Sequence, residues 1–409
     1  MSVLVLLTLL VLVVLNYCAC RDARYPPVLM SVVWLIAMTL YYLSPLEINT
    51  IGVLTVLIFI SAVLAFSCGG YLALALSESG QGTESQRLAL HAFSSPHPRL
   101  KRIFLILSVV MLPLMVVKAF QIASQSSSEV FFIALRWELQ ADDSKGFGYF
   151  GYAPLLSYFT TFIYAIEPRR SRWEKLQYYV SFVGSVAYAV LSTGRTFFFL
   201  IVAVLVGISL IQGRFRLRTF ILSALLFLLS FALLGISMAK GADPDESWAD
   251  NASSLGESLL TYAEGPIPAF DQVVRKHEPL EYGKNTFIGP LNIVRRLAGK
   301  SYLSPIQEEV DVPFPTNVYT GIHPVYKDFG IVGVVLAFAM VGVASTFFYL
   351  KGLARDPLHT FYYGLALFPL LLITFSDQCF APMMTWIMFS LAAYLYFRSG
   401  RGRQESATL

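Results

Sequence analysis

Residues 51–76 read IGVLTVLIFISAVLAFSCGGYLALAL and carry no charged side chain. A bilayer core needs about 20 apolar residues of helix, so this stretch can cross a membrane with some tilt. Of all 409 residues, 56% are hydrophobic and 14% are charged, whereas soluble domains carry about 25% charged residues. The composition therefore excludes a disordered chain, a disulfide-rich secreted domain and a water-soluble multidomain enzyme. It indicates a polytopic integral membrane protein.

Eleven apolar runs of this kind predict an all-α fold with about eleven transmembrane helices. If the spans alternate, one set of connections holds 18 of the 30 lysines and arginines, and the short connections opposite hold only Arg195. Basic residues mark the cytoplasmic side, so we expect the N-terminus outside and the C-terminus inside. The runs lie near 2–19, 28–46, 51–76, 102–120, 148–166, 175–193, 196–212, 219–238, 329–350, 360–376 and 382–397.

Two predicted outer connections are long, at about 121–147 and 239–328. Long loops usually carry function or are disordered, and the second keeps bulky aromatic residues, so we expect it to fold against the membrane. Amphipathic helices are predicted at Ser247–Ala263 and Thr286–Leu297. The chain is thus divided into eight spans (1–238), a large periplasmic loop (239–328), and three spans with a cytoplasmic tail (329–409).

The usual motifs of soluble enzymes are missing from the sequence. It has no P-loop, GxSxG, HExxH, EF-hand or CxxC pattern and no basic patch for nucleic acid. The four cysteines lie in or beside apolar runs without a His/Cys cluster, which is typical of packing residues. We therefore expect no metal and no cofactor. The outer acidic groups, Asp142-Asp143 and Glu308-Glu309-Asp311, are interpreted as solvated charge runs.

Arg195 lies in Ser192-Thr193-Gly194-Arg195-Thr196, a tight turn between two apolar runs. A charge at lipid depth costs about 2.5–3.5 kcal/mol, so this arginine must face the bundle, a pocket or the headgroups. One interpretation is an interfacial arginine anchored to lipid phosphates. The other is an arginine that holds a phosphorylated substrate at the outer leaflet.

A polar motif, TNVYTGIHPVYKDFG at 316–330, runs directly into an apolar stretch. Proline favours the first helical turn, so His323-Pro324 should begin the ninth span, and its N–H groups would form an anion site. The alternative gives the motif only structural roles: Asn317 and His323 as caps, Tyr319 and Tyr326 as interfacial aromatics, and Lys327 with Asp328 as a solvated pair.

Two parts of the late loop carry a family resemblance. The late loop resembles the oligosaccharide repeat-unit polymerases over residues 285–333. The resemblance is carried by Asn285-Thr286-Phe287, Arg295-Arg296, Thr316–Thr320 and Tyr326-x-Asp328-Phe329-Gly330-x-x-Gly333. These polymerases are the Wzy-type O-antigen polymerases of bacterial surface polysaccharides, and their Gly-Arg turn is similar to Gly194-Arg195. The number of spans, the late outer loop and the basic inner loops also fit. The chain departs from the family's aromatic-rich stretch at Gly321-Ile322-His323.

The resemblance implies a GT-C-like glycosyltransferase of the bacterial inner membrane with its site facing the periplasm. Because the outer acidic residues form no obvious cluster beside the candidate arginines, we expect it to be metal-independent. It would transfer a growing glycan from undecaprenyl pyrophosphate to the non-reducing end of another lipid-linked repeat unit. The implied partners are the lipid-linked donor and acceptor, membrane lipids and a chain-length regulator protein. An O-antigen ligase that acts on lipid A core and a lipid-linked oligosaccharide flippase are the alternatives. A transporter should show mid-membrane charges and inverted repeats.

Such a reaction requires cations for the pyrophosphate, a base for the acceptor hydroxyl and polar walls for the sugars. The candidates that follow from the resemblance fall into these three groups. They are Arg195, Arg275, Arg295 and Arg296 for the pyrophosphate; His323, Asp328 and Glu264 for catalysis; and Asn317, Tyr319 and Tyr326 for the sugar.

Overall fold

The structure is a computed structural model that describes residues 2–44, 50–78, 97–128, 130–141, 146–167, 171–215, 221, 261, 263–304, 306–312 and 314–398. These residues are mostly helical, with one small two-stranded antiparallel sheet. The helices are α1 Ser2–Cys20, α2 Pro26–Leu43, α3 Val53–Glu78, α4 Pro98–Ala123, α5 Phe131–Gln140, α6 Ala153–Ile166, α7 Arg172–Leu191, α8 Arg195–Ile211, α9 Pro266–Lys276, α10 Ile288–Leu297, α11 His323–Leu353, α12 Pro357–Leu372 and α13 Met383–Arg398. The strands are β1 Val310–Asp311 and β2 Pro315–Thr316.

Five of the described helices are long and apolar enough to cross a membrane: α1, α2, α3, α4 and α11. Helices α8, α12 and α13 are also apolar but shorter. The prediction of an all-α, membrane-embedded protein is confirmed at this level. Most of the predicted run at 219–238 and most of the predicted helix at Ser247–Ala263 lie outside the described residues. The number of eleven spans and the GT-C architecture stay predictions.

Local sequence signals explain where many helices begin. Pro26, Pro98 and Pro266 are the first residues of their helices, where a missing N–H has no consequence. Ser171 and Glu174 form a capping box at the start of α7. Helix α11 begins at His323 as predicted, but Gly330 (φ 64°, ψ −159°) interrupts it. The helix is therefore kinked at Gly330, and the seven residues before it form a separate short helical segment ahead of the long apolar part.

The chain forms two compact units. The first comprises Met1–Ala89, Leu259–Ala354 and Ala366–Ile387, and the second comprises Leu90–Ser258, Arg355–Leu365 and Met388–Leu409. Segments distant in sequence therefore build each unit together. The boundaries at 238 and 328 were predicted from the side of the membrane on which each segment should lie. That membrane topology stays a prediction.

In the first unit, α3 and α11 approach closely because glycines lie at the contact. A Cβ at Gly69 would lie 2.0 Å from the carbonyl oxygen of Ala339, and one at Gly342 would lie 2.1 Å from that of Phe66. Small residues allow such close packing of helices in membranes. On α1, the buried amide of Asn16 donates to Ser31 of α2 at 2.8 Å and to Ser67 of α3 at 3.0 Å. This one side chain links three helices.

In the second unit, a buried ion pair joins α4 to the end of α6. The charge count placed Lys101 in a cytoplasmic connection, but Lys101 lies inside α4 and is 6% exposed. Its ammonium group pairs with Glu167, which also accepts a hydrogen bond from the Tyr396 hydroxyl at 2.8 Å. The interpretation of Lys101 as a loop charge is therefore wrong. Its partner Glu167 lies 66 residues away in sequence, and this ion pair allows the lysine to be buried within the helix.

Candidate functional site

Helix α9 is attached to the first turn of α3 by a buried carboxylate. Asp271 is 4% exposed and accepts hydrogen bonds from the Gly52 N–H at 2.7 Å and the Thr55 hydroxyl. Arg275 pairs with the same carboxylate and donates to the Thr50 carbonyl at 2.7 Å. The guanidinium of Arg275 is thus oriented by the protein, while its side chain stays 59% exposed.

The apolar face of α9 supports the polar motif. Phe270 is fully buried, with its ring 5.4 Å from that of Phe59 on α3 and 5.3 Å from that of Tyr326. The β1–β2 hairpin contributes Val312 to a small core with Ala269 and Tyr319. Tyr326 is therefore partly buried in an aromatic contact, and Tyr319 is part of a packed core.

Tyr319 and His323 form a stacked pair. Their ring centroids are 4.4 Å apart with an interplanar angle of 19°. The Tyr319 hydroxyl donates to the Glu308 carbonyl at 2.9 Å. Burial raises the pKa of Tyr319 to about 12, and the charges of Glu308 and Glu278 add to this. The phenol therefore remains a protonated donor, and neither ring is an exposed interfacial aromatic or a simple cap.

Gly321 lies in close contact with the segment that follows α12. Its N–H donates to the Ile373 carbonyl at 2.7 Å. A Cβ at this position would lie 2.6 Å from Cδ1 of Ile373 and 3.3 Å from its carbonyl oxygen, so a larger residue here would force the Ile373 side chain to move. The contact brings the connection between α12 and α13 beside the motif. Asn317, in contrast, is exposed.

Asp328 holds the loop that precedes α10. Its side chain is fully buried and accepts hydrogen bonds from the Asn285 N–H at 3.0 Å, the Asn285 side-chain amide at 2.9 Å and the Thr286 N–H at 2.6 Å. Lys327 pairs with Glu281 at 3.3 Å instead. The reading of Lys327 and Asp328 as a solvated pair is therefore wrong. Asp328 has the contacts of a positioning residue.

Two acids near this region have raised pKa values. Glu264 is 1% exposed and accepts a hydrogen bond from the Ser44 hydroxyl. Burial raises the pKa of Glu264, and the Ser44 hydrogen bond opposes the rise. Burial also raises the pKa of Asp377 to about 6, although the N–H groups of Cys379, Phe380 and Ala381 lower it. Sequence reasoning missed Asp377, because it used this connection only for its lack of basic residues.

Arg295 and Arg296 lie in the last turn of α10, as the sequence predicted. The two side chains differ in their surroundings. Arg295 donates to the carbonyl of Ser301 at 2.7 Å and to its hydroxyl at 3.2 Å, whereas Arg296 is exposed. Because successive helical residues are about 100° apart, the two side chains point in different directions, and only Arg295 reaches Ser301.

Arg195 is the first residue of α8 and is half-buried. It belongs to the second unit, whereas the other nine candidates belong to the first. The turn before it contains Thr193 at φ 51°. Arg136 of α5 donates to the Thr193 carbonyl at 3.5 Å, so two arginines approach one turn. Sequence reasoning missed Arg136. The signal was an apolar stretch, FFIAL at 131–135, inside a predicted outer loop.

The described residues contain no group of three or more His, Cys, Asp or Glu side chains that could hold a metal ion. Asp142 and Asp143 lie outside the described residues. The expectation of a metal-free site stays a prediction for the chain as a whole.

Comparison of the chain with protein-family models, curated proteins and solved structures finds no match. The functional assignment therefore depends on the residues themselves and on the resemblance of the motifs.

Proposed function

We propose that the protein is an inner-membrane glycosyltransferase that polymerises lipid-linked oligosaccharide repeat units at the periplasmic face. One observation carries this proposal. The two separated parts of the family-like pattern, Asn285-Thr286 and Tyr326-x-Asp328, are in direct contact through the Asp328 carboxylate. These two parts thus form one assembly near the N-terminal end of an apolar helix, which is the arrangement expected if their residues act together.

The proposed reaction is a transfer of the growing glycan. A hydroxyl of the acceptor's non-reducing sugar attacks the anomeric carbon of the donor, and the bond from that carbon to the pyrophosphate oxygen breaks. The hydroxyl proton goes to a protein base, and undecaprenyl pyrophosphate leaves with the electron pair. Cations and preorganised donors stabilise the charge that develops on the leaving group.

Guanidinium groups suit the pyrophosphate because their planar fork matches phosphate oxygens. Arg295 is held by Ser301, and Arg296 lies beside exposed apolar side chains. Among the candidates of the first unit, Arg275 is the cation that we assign to this role, because Asp271 and the Thr50 carbonyl orient its guanidinium group. The role of Arg195 stays a separate prediction with its own test. The exposed Asn317 and the half-buried Tyr326 remain the proposed residues for sugar contact, whereas Tyr319 is buried in a packed core and would only support them.

We assign proton acceptance to Glu264, with Asp377 as the second candidate and His323 as the third. General bases work best when their pKa lies near the operating pH, and burial shifts both acids in that direction. Asp328 is assigned a positioning role instead, because its oxygens hold the 285–286 segment, which is distant in sequence, whereas the N–H donors to Asp377 come from its own turn. Glu264→Gln should abolish polymer formation while the melting temperature stays near that of the wild type. Normal polymer from this variant would move the role to Asp377.

Gene deletion followed by electrophoresis of the lipopolysaccharide tests the function. A polymerase is indicated by loss of the ladder with a single core-linked repeat unit remaining. Loss of every repeat unit would instead indicate the ligase or the flippase. Wild-type chain supplied in trans should restore the ladder, and Asp311→Asn, which changes an exposed acid of β1, should restore it equally well.

A further inference from the structure

Helix α10 exposes an apolar side although it lies outside the predicted spans. Ile293, Val294 and Leu297 are 45%, 62% and 85% exposed. Successive helical residues are about 100° apart, so these three side chains lie on one side of the helix. Exposed apolar side chains that are contiguous indicate an interaction surface. We call these three residues the α10 apolar surface.

Two polar side chains of α10, Asn292 and Arg295, bind the segment that follows the helix. Asn292 is buried, and its side chain donates to the Leu303 carbonyl at 2.9 Å and accepts from the Leu303 N–H at 2.8 Å. Arg295 binds Ser301 in the same returning segment. These hydrogen bonds fix the rotation of the helix. The apolar surface is therefore turned outward by specific polar contacts.

The location of α10 shows what the surface would meet. A Cβ at Gly289, near the start of α10, would lie 3.1 Å from Cγ of Met384. Met384 is in the first turn of α13, an apolar helix. Helix α10 thus lies against the end of an apolar helix, at the level where lipid headgroups are expected. Two exposed cations, Arg296 and Lys300, lie next to the apolar surface.

We infer that α10 is an interfacial anchor that inserts into the phospholipid leaflet at the N-terminal end of α13, which is the outer leaflet in the predicted topology. The apolar surface enters the boundary between headgroups and acyl chains, and Arg296 and Lys300 contact anionic headgroups. A helix with one apolar side and flanking basic residues has the pattern of helices that lie in the membrane interface. The inference goes beyond the proposed reaction and does not depend on it.

Spin labelling tests the anchor. Leu297→Cys is labelled with a nitroxide in the full chain after replacement of Cys18, Cys20, Cys68 and Cys379, and the protein is reconstituted in bilayers of phosphatidylethanolamine and phosphatidylglycerol. Oxygen concentrates in the acyl region, and a water-soluble nickel chelate stays outside it. The ratio of oxygen to nickel accessibility should be several-fold higher at position 297 than at Lys276→Cys, an exposed polar site at the end of α9. Val294→Cys should behave like Leu297→Cys.

The possible results separate three occupants. Nickel accessibility at positions 294 and 297 equal to that of the Lys276 control would mean that the surface faces water, and it would overturn the inference. A label reached by neither reagent would indicate a covering protein or a second copy, and it would also overturn the inference. The role of the two cations would be supported if the ratio of oxygen to nickel accessibility decreases when phosphatidylglycerol is omitted. In the double variant Arg296→Gln/Lys300→Gln, omission of phosphatidylglycerol should then leave the ratio unchanged.

Discussion

Replacing Asp328 by asparagine should release the loop at 281–287 without unfolding the helices. The buried carboxylate accepts hydrogen bonds from two backbone N–H groups and one side-chain amide of Asn285 and Thr286. Asparagine keeps one oxygen but puts an NH2 group in place of the other. At least one buried donor then loses its acceptor, and the others lose a charged one.

The magnitude follows from these contacts. A hydrogen bond to a charged group contributes about 1.5–3 kcal/mol, and an unsatisfied buried donor costs about 1–3 kcal/mol. A local loss of about 3 kcal/mol corresponds to roughly a 100-fold increase in the open population, because about 1.4 kcal/mol is a factor of ten. The opening should be local, since α3 and α11 do not depend on this loop for their close contacts at Gly69 and Gly342.

Hydrogen–deuterium exchange of the reconstituted protein measures the effect. The peptide that covers Asn285 and Thr286 should exchange roughly 100-fold faster in Asp328→Asn, because exchange follows the free energy of local opening. Asp311→Asn, which removes the same charge at an exposed position, should leave the exchange unchanged. Unchanged protection in Asp328→Asn would refute the positioning role. Loss of polymer with intact protection would mean that Asp328 acts on substrate directly.

Four further predictions concern the cations, the proton acceptor, the buried ion pair and the metal. Arg195→Ala should abolish polymer while the protein level stays normal. Arg195→Lys should restore little polymer, because lysine lacks the bidentate fork of arginine. The control Arg172→Ala, at the other end of α7, should give normal ladders. Burial raises the pKa of Asp377 to about 6, so if Asp377 accepts the proton, activity should rise with pH and show an inflection near pH 6. The free energy of unfolding should decrease as the pH rises from 3.8 to about 6, because the carboxyl group ionises at lower pH in the unfolded chain than in the folded one. Asp377→Asn would show neither effect, and a flat activity profile in the wild type would exclude this role. Glu167→Gln should lower stability by about 3–5 kcal/mol in thermal melts, and Lys101→Met in the same chain should recover part of the loss; an unchanged melting temperature would contradict the buried pair. If the proposed function holds, purified protein should polymerise lipid-linked substrate in EDTA at an unchanged rate. Activity that is lost in EDTA and recovered only with Mg²⁺ or Mn²⁺ would show that a metal is required.

Features that depend on neighbouring residues could be predicted from the sequence. Within the described residues, the apolar runs coincide with helices because length and hydrophobicity are local properties. Prolines begin several of these helices because their effect is local too. The amphipathic helix with Arg295 and Arg296 was predicted for the same reason, and the structure shortens it only to Ile288–Leu297. The interruption of α11 at Gly330 was missed, since glycine permits a positive φ without requiring it.

Contacts between distant residues could be decided only by the tertiary structure. Lys101 was counted as a loop charge because its partner Glu167 is 66 residues away. Asp328 was predicted to be a base, whereas the structure shows it as a hydrogen-bond acceptor for the 285–286 segment. Its donors are mostly backbone N–H groups. Every residue other than proline carries such a group, so no sequence motif can reveal this contact. Sequence by itself determined a membrane-embedded helical protein with a polar motif before an apolar helix. Packing decided which polar groups are buried, paired or exposed, because the partner that stabilises a buried charge is set by the fold and not by its neighbours in the chain.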